Sequence, residues 1–350
     1  RDVLGSRGLG DVYKRQDGMQ IERTRLITAA QAARASMEEN KVPGLAMAFF
    51  SGGEQVCAET LGIADSVCNL PVSMGTHFEA ASLTKPVFAY LVLRLVEAGA
   101  LRLDVPLCEY LAGSLPTEDP RFAQATAAHV LSHGTGLPNW GAAPLPLAFA
   151  PGQGFRYSGK GYTCLQTVVE HLTGRRLDDL LQTELFGPLG MEDAAMVWTG
   201  PLNRTLARTW DEAGAPEPKR RRAQHTVALE PNAAFSLYVT IADYPKFLAQ
   251  ILSETGFASR VRAVRNPAGH GVEWGLGWGL YQEVIWHWGD NGGFKSFVCF
   301  DPVTRDALLI HTNGANGLHT CFDVAEHCTG FDFSNIAAMI ACLLYTSDAA

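Results

Sequence analysis

The sequence predicts an α+β fold in which helices flank an antiparallel sheet and a mainly helical lobe is inserted into that sheet. Two observations predict it: strand-like patterns occur early in the chain and again from Trp274 onward, and helical periodicity dominates the residues between them. With 350 residues, 47% hydrophobic and 18% charged, the chain can build a large core. We expect an α/β lobe from about residues 17–80 and 236–342 and a helical lobe from about 81–235.

The first elements follow from periodicity and from turn residues. Apolar positions recur at helical spacing from Ile21 to Glu39, and "NKVPG" ends that helix. The segment "LAMAFFSGGEQVCAETLGIAD" predicts two strands joined by a Gly-Gly turn. After Ser82, "PVFAYLVLRLVEAGALRLD" predicts a helix that ends near Gly99, so this serine stands at the start of an apolar helix.

The rest of the chain changes from helical to strand-like texture. Helical segments separated by Pro- and Gly-rich loops include "HVLSHGTGLP", "TCLQTVVEHLTG" and "LDDLLQTELFGPLGM". Short strands with turns between them follow as "GLGWGLYQEV", "IWHWGD", "FKSFVCFDP" and "DALLIHTNG". The sheet is therefore expected to be assembled from both ends of the chain.

Both ends of the chain differ from the rest in character. Residues 1–16, "RDVLGSRGLGDVYKRQ", and residues 343–350, "LLYTSDAA", are predicted to be linker artefacts, which leaves a single domain over 17–342. The first segment has no apolar core with a small-residue cleavage site, so it is not a signal peptide. No run reaches the roughly 18 apolar residues of a membrane span. We expect a cytoplasmic protein, with a periplasmic location left open.

Charge and cysteine usage exclude several classes of partner. A formal charge of −8 argues against nucleic acid, and the basic cluster Lys219–Arg222 is expected to be a solvated loop. The eight cysteines lie far apart without metal-ligand spacing, so buried free thiols are expected, with neither a metal nor a cofactor. The expected partner is a small-molecule ester or amide substrate; the oligomeric state stays open.

Ser82 and Lys85 form the first candidate for chemistry. At a helix start, residues i and i+3 lie on one face, so the two side chains are within reach of each other. A serine hydroxyl becomes a good nucleophile only when a base takes its proton, and lysine can do this only when neutral. Its pKa, ordinarily about 10.4, must therefore fall by roughly 3, which burial can cause. The alternative is a helix cap beside a surface charge. Because Pro86 disfavours helical geometry at Lys85, the first turn should be tight or irregular.

Four short sequence blocks, the first of which contains Ser82 and Lys85, occur one after another along the chain. "SLTKP", "HVLSHGTGLP", "YSG" and "HWG" follow one another at suitable spacing, and no Gly-x-Ser-x-Gly is present. In these blocks the chain resembles the serine β-lactamase and penicillin-binding superfamily, specifically its class C-like branch with the family VIII esterases and D-aminopeptidases. The resemblance covers about residues 20–320 and implies a β-lactamase/transpeptidase-like fold.

The resemblance also implies roles for individual residues. Ser82 would be the acylated nucleophile, Lys85 its general base, and Tyr157, on a loop at the mouth of the cleft, the proton relay to the leaving group. The backbone amides of Ser82 and Asp290 would form the oxyanion hole. The strand edging the cleft would carry the three residues of the "HWG" block, His287, Trp288 and Gly289.

Three departures from the family pattern bear on the substrate. Gly159 stands where the β-lactamases carry an asparagine that binds the acyl amide. His287 replaces a permanently charged lysine, and histidine is mostly neutral at pH 7, so acidification through about pH 6.5 would be needed to charge it. Trp288 replaces a small threonine. All three changes favour esters, or amides with little negative charge near the scissile bond.

The sequence therefore predicts a serine hydrolase, most simply a carboxylic esterase. One alternative is a D-amino-acid peptidase or a weak class C-like β-lactamase. Another is a penicillin-sensor-type binding protein that becomes acylated and does not turn over.

Overall fold

The computed structural model describes residues 19–111, 116–218 and 228–347, with side chains of the last helix described to Leu344. The predicted linker 1–16 and the basic cluster Lys219–Arg222 lie outside the described residues. Residues 343–347, within the second predicted linker, continue the last helix.

A nine-stranded antiparallel sheet forms the centre of the described chain. Its spatial order is β3-β2-β1-β11-β10-β9-β8-β7-β6, and β4 and β5 form a separate pair. The strands are β1 Gly44–Ser51, β2 Glu54–Asp65, β3 Leu70–Pro71, β4 His77–Glu79, β5 Tyr238–Thr240, β6 Asn266–Gly269, β7 Val272–Trp274, β8 Gly279–Tyr281, β9 Val284–Asn291, β10 Phe294–Asp301 and β11 Asp306–Thr312. Because β1 pairs with β11, the two ends of the chain do build one sheet, as predicted.

Helices cover both faces of the sheet and fill the middle of the chain. They are α1 Arg23–Glu39, α2 Thr84–Glu97, α3 Leu107–Tyr110, α4 Ala127–Leu131, α5 Gly159–Thr173, α6 Leu177–Leu181, α7 Gly187–Leu189, α8 Leu202–Thr205, α9 Tyr244–Ser253, α10 Phe257–Val261, α11 Gly317–Thr329 and α12 Ser334–Ser347. None of the helices in the described ranges is both long and apolar enough to cross a membrane.

Strand β1 explains why the sheet has two cores. Successive side chains of a strand point to opposite faces. Leu45 and Met47 pack with buried residues of α1, α11 and α12, whereas Ala46 and Ala48 belong to the core that contains α2. A strand buried on both faces is hydrophobic throughout, which accounts for the run "LAMAFF".

Helix α2 brings the candidate base into the interior. All its residues from Thr84 to Leu93 are buried, and a helix that is apolar all round belongs in a core. A 3₁₀ turn, Ala81–Leu83, precedes the helix and confirms the tight start expected from Pro86. Helix α5 begins at Gly159, earlier than its apolar run suggests, because the Ser158 hydroxyl accepts from the Gly161 amide at 2.9 Å and caps the helix.

Candidate active site

Ser82 lies in the 3₁₀ turn between β4 and α2. The residue before it, Ala81, has φ +51°, a left-handed conformation that is strained for a residue other than glycine. The Thr84 hydroxyl donates to the Ala81 carbonyl at 2.7 Å, and the Ala80 amide donates to the Leu237 carbonyl at 2.8 Å. These contacts hold the strained turn and fix the direction of the serine.

Lys85 is fully buried beneath Ser82. Its Nζ lies 3.0 Å from Ser82 Oγ and donates to the Ala234 carbonyl at 2.8 Å. Burial lowers the pKa of Lys85 from 10.5 to about 7. A large share of the amine is therefore neutral at pH 7 and can accept a proton. The predicted proximity of the two side chains is confirmed.

Tyr157 lies on the loop before α5 and covers the lysine. The centroid of its ring is 4.7 Å from Lys85 Nζ. Burial raises the pKa of the Tyr157 phenol well above 10; the nearby Ser82 hydroxyl works against this shift, and the charge of Asp290 adds to it. At pH 7 the phenol therefore stays protonated while a large share of the lysine is neutral. This separation suits a lysine base and a tyrosine proton donor.

His133 holds the loop that carries Tyr157. It is fully buried with φ +55°, its carbonyl accepts from the Arg156 amide at 2.9 Å, and its Nδ1 accepts from the Ser158 amide at 3.1 Å. Its ring centroid is 4.2 Å from that of Tyr157. Sequence reasoning singled out the block "HVLSHGTGLP" but gave this histidine no role. Nδ1 can accept a hydrogen bond only when the His133 ring is uncharged. Burial, together with Lys85 and His287, holds the pKa of His133 well below 6.5.

Gly289 allows β9 to approach the nucleophile. A Cβ at this position would lie 2.3 Å from the Ala80 carbonyl oxygen, closer than any side chain tolerates. Strand β8 pairs with β9 only as far as Trp286, so the part of β9 that includes Gly289 runs beside the 3₁₀ turn. The glycine is thus a consequence of close packing, and it does not line the cavity.

His287 lies on β9 as predicted, but its side chain does not face the cavity. It is fully buried, its Nδ1 donates to the Trp288 carbonyl at 2.7 Å, and its ring packs against Trp274 with centroids 5.3 Å apart. Burial, and then the charge of Lys85, holds the pKa of His287 well below 6.5. The expectation that acidification through pH 6.5 would charge it is therefore wrong, because that expectation assumed a solvated ring.

Gly159 lies directly against an aromatic side chain. A Cβ there would meet the Trp140 indole at 2.7 Å, and the Gly159 amide donates to Asn139 Oδ1 at 2.8 Å. Sequence reasoning missed both of these partners. The proline and glycine of "LPNWG" are typical of a loop, but nothing in them indicates that it folds back onto the start of α5.

These residues surround a cavity of ≈ 450 Å³ above Ser82. Its wall is formed by Ser82, Pro138, Asn139, Trp140, Gly141, Phe155, Arg156, Tyr157, Trp288, Asp290, Leu343 and Leu344. Of the predicted site, Ser82, Tyr157, Trp288 and Asp290 line the cavity, whereas Lys85 lies beneath it. The Asp290 carboxylate forms an ion pair with Lys295 at 2.5 Å. Among the described residues, no three His, Cys, Asp or Glu side chains converge in a way that could hold a metal ion.

The family comparison covers most of the chain. Residues 29–321 match the Beta-lactamase family. The chain belongs to this family. Its fold is accordingly β-lactamase/transpeptidase-like, and the chain is a serine hydrolase related to the β-lactamases, as the resemblance of the sequence blocks predicted.

Individual relatives of this β-lactamase-family chain differ in activity. It is 30% identical to esterase EstB of Burkholderia gladioli over 77% of this chain and 78% of that protein. It is 25% identical to penicillin-binding protein 4 of Amycolatopsis lactamdurans, over 81% and 84% of the two chains. The solved structure of D-alanine carboxypeptidase AmpC from Burkholderia cenocepacia superposes with a TM-score of 0.75 at 18% identity, over 87% of this chain and 98% of that chain, which supports the fold alone.

Proposed function

We propose that this chain is a carboxylic ester hydrolase that works through an acyl-enzyme on Ser82. The observation that carries the proposal is the 3.0 Å approach of Ser82 Oγ to the buried amine of Lys85. With a pKa of about 7, that amine is a base strong enough to take the hydroxyl proton and weak enough to be free at neutral pH. A solvated lysine at the same distance would be charged and inert as a base.

The reaction would proceed in two halves. Lys85 takes the proton of Ser82 as Oγ bonds to the ester carbonyl carbon, and the backbone amides of Ser82 and Asp290 stabilise the oxyanion. The bond to the alcohol oxygen then breaks; Tyr157 donates its proton to that oxygen and regains one from the Lys85 ammonium. Water then attacks the carbonyl carbon of the acyl-enzyme through the same proton transfers, which releases the acid and restores Ser82.

The surroundings of Ser82 favour esters over anionic amides. His287 is buried and uncharged, so it provides no cation at the position where the β-lactamases carry a lysine. Asp290 adds a carboxylate to the cavity wall, although Lys295 compensates part of its charge. The aromatic side chains Trp140, Phe155 and Trp288 add apolar surface to the wall. The similarity to esterase EstB points the same way.

A second candidate function rests on Arg156. This residue lies on the same wall; its guanidinium donates to the Gly136 carbonyl at 3.4 Å and has further N–H groups that could bind a carboxylate, which β-lactams and peptide C-termini carry. A D-amino-acid peptidase or weak class C-like β-lactamase activity is therefore the alternative. The similarity to a penicillin-binding protein supports this alternative.

The test compares kcat/KM for p-nitrophenyl butyrate, nitrocefin and D-alanine p-nitroanilide, with Ser82→Ala as the control. We expect turnover of the ester well above that of the other two, and its loss in the variant. Preferential turnover of nitrocefin or of the anilide would contradict the proposal in favour of the alternative. A burst of one equivalent without further turnover would indicate a protein that is acylated and stalls. Mass spectrometry after fluorophosphonate labelling reports whether Ser82 is the nucleophile.

A further inference from the structure

The cavity wall contains an amide side chain that the family resemblance does not assign. Asn139 precedes Trp140 on the loop that folds against the start of α5, and it lines the cavity together with Ser82. We propose that the Asn139 side-chain NH₂ is a specificity determinant that donates to an acceptor oxygen on the acyl part of the substrate. The favoured substrates are then esters of N-acylated amino acids and similar acids. This inference rests on the proposed ester hydrolysis at Ser82.

The orientation of the Asn139 amide is fixed by its partners. A backbone N–H can only donate, so the atom that contacts the Gly159 amide at 2.8 Å must be the carbonyl oxygen Oδ1. The Asn139 backbone carbonyl accepts from the Lys160 amide at 3.1 Å. Both contacts bind the residue to the first turn of α5, where N–H groups lack helical partners. The NH₂ group is therefore the end of the side chain that remains for another acceptor.

No protein acceptor uses that NH₂ group within the ranges 19–111, 116–218 and 228–347. The side chain is half-buried and borders two spaces that also contain Ser82: the cavity of ≈ 450 Å³ and a second of ≈ 350 Å³ lined by Ser82, Asn139, Trp140, Phe235, Asp290 and Asn291. A donor in this place can reach a ligand bound over the nucleophile. Orientation and position together make it a recognition group rather than only a helix cap.

Trp140 explains why the donor comes from this loop. Its indole occupies the space that a side chain at Gly159 would fill, at 2.7 Å from the constructed Cβ, and it packs edge-on against Phe235 with centroids 5.6 Å apart. An asparagine at 159 would therefore require the indole to move. The amide contact that Gly159 removes is restored from the neighbouring loop.

The test uses two esters whose acyl chains have equal length, p-nitrophenyl N-acetylglycinate and p-nitrophenyl pentanoate. Their ratio of kcat/KM, corrected for their rates of alkaline hydrolysis, measures recognition of the amide oxygen. Asn139→Asp keeps an acceptor for the Gly159 amide and removes the NH₂ group; Asn139→Leu removes both without adding charge. We expect the ratio to fall about 2- to 13-fold in each variant, as for the loss of one hydrogen bond. A general effect of the new charge acts on both esters and cancels in the ratio.

Asn203→Asp is the matched control, because Asn203 is an exposed asparagine on α8 that donates to the Gly200 carbonyl away from the cavity. It should leave the ratio unchanged. An unchanged ratio in both Asn139 variants, with Ser82 still labelled by a fluorophosphonate, would overturn the inference. If the unaltered protein hydrolyses neither ester, the proposed function fails instead. Recognition by Asn139 is then measured as the ratio of the rates at which two p-nitrophenyl phosphonates, one with an acetamidomethyl group and one with a butyl group, inactivate Ser82. If neither phosphonate reacts with Ser82, both proposals are overturned.

Discussion

The two sides of the cavity around Ser82 differ in how their residues are held. On one side, the 3₁₀ turn and Lys85, in the first turn of α2, are anchored in the core, and Lys85 has no exposed surface. On the other, Asn139 is half-buried and Trp140 is 48% exposed, on a loop held by contacts with α5. The buried side sets the pKa values that the chemistry requires, whereas the loop side presents groups to a ligand. Changes on the first side should therefore alter every reaction, and changes on the second should alter the choice among substrates.

The largest expected effect comes from removing the buried base. Lys85→Met keeps an apolar chain of similar length in the core but leaves the Ser82 hydroxyl without a proton acceptor. We expect kcat/KM for p-nitrophenyl butyrate to fall about 10²–10⁴-fold, the usual worth of general-base assistance. Ser82→Ala should lose turnover altogether. A loss below about tenfold in Lys85→Met would remove the base role from this residue.

The same substitution should make the protein more stable. Folded Lys85 has a pKa of about 7 against 10.5 when unfolded, so the unfolded chain binds more protons between these pH values and the free energy of unfolding rises with pH across that window. In Lys85→Met this rise should disappear, and the free energy of unfolding at pH 7 should increase by about 1–4 kcal/mol. The increase is smaller than the full burial penalty of the lysine because the Ala234 carbonyl loses its donor. Urea unfolding at pH 7 and pH 9.5 measures both effects. Equal stability with the same pH slope would show that the amine is not buried in solution.

How much of the site could be predicted follows from the range of each contact. Ser82 and Lys85 were predictable together because i and i+3 spacing and the start of an apolar helix are local signals, and α2 does place them 3.0 Å apart. The assembly of the sheet from both ends of the chain was likewise predictable, from the positions of the strand-like segments alone. Gly159 was recognised as a departure, but the Trp140 ring that packs against it comes from a separate loop, and no periodicity encodes that contact.

The role of a strand residue was harder to predict than its position. The block "HWG" correctly located His287 on the strand beside the nucleophile, yet whether its ring meets solvent depends on the packing of Trp274 and Tyr157 from distant segments. His133 illustrates the same limit. Its block was recognised, but its function depends on the left-handed backbone and on a loop that begins more than 20 residues later.

The link between His133 and Tyr157 provides a test of intermediate size. Tyr157→Phe should lower kcat by on the order of 10², less than the loss at Lys85, because the nucleophile and base remain. His133→Asn, which tolerates a left-handed φ and retains an acceptor, should cost less than His133→Ala. If His133 acts by positioning Tyr157, a variant that combines His133→Ala with Tyr157→Phe should have a kcat only slightly lower than that of Tyr157→Phe alone. Additive losses in kcat would instead assign His133 a purely structural role.

The smallest expected effect concerns His287. Its measurement tests whether Lys85 is the only group near the cavity whose ionisation controls the rate. The neutral form of Lys85 is required for attack, so kcat/KM should fall below about pH 7, by tenfold per pH unit once the amine is mostly charged. His133 and His287 stay uncharged through that range, because burial and the nearby lysine hold their pKa values well below 6.5. The profile from pH 5 to pH 8 should therefore show one ionisation near 7, and His287→Gln should leave its midpoint within about 0.3 of that value. A second ionisation near 6.5 that disappears in His287→Gln would contradict the burial of this ring and would restore it as a cation facing the substrate.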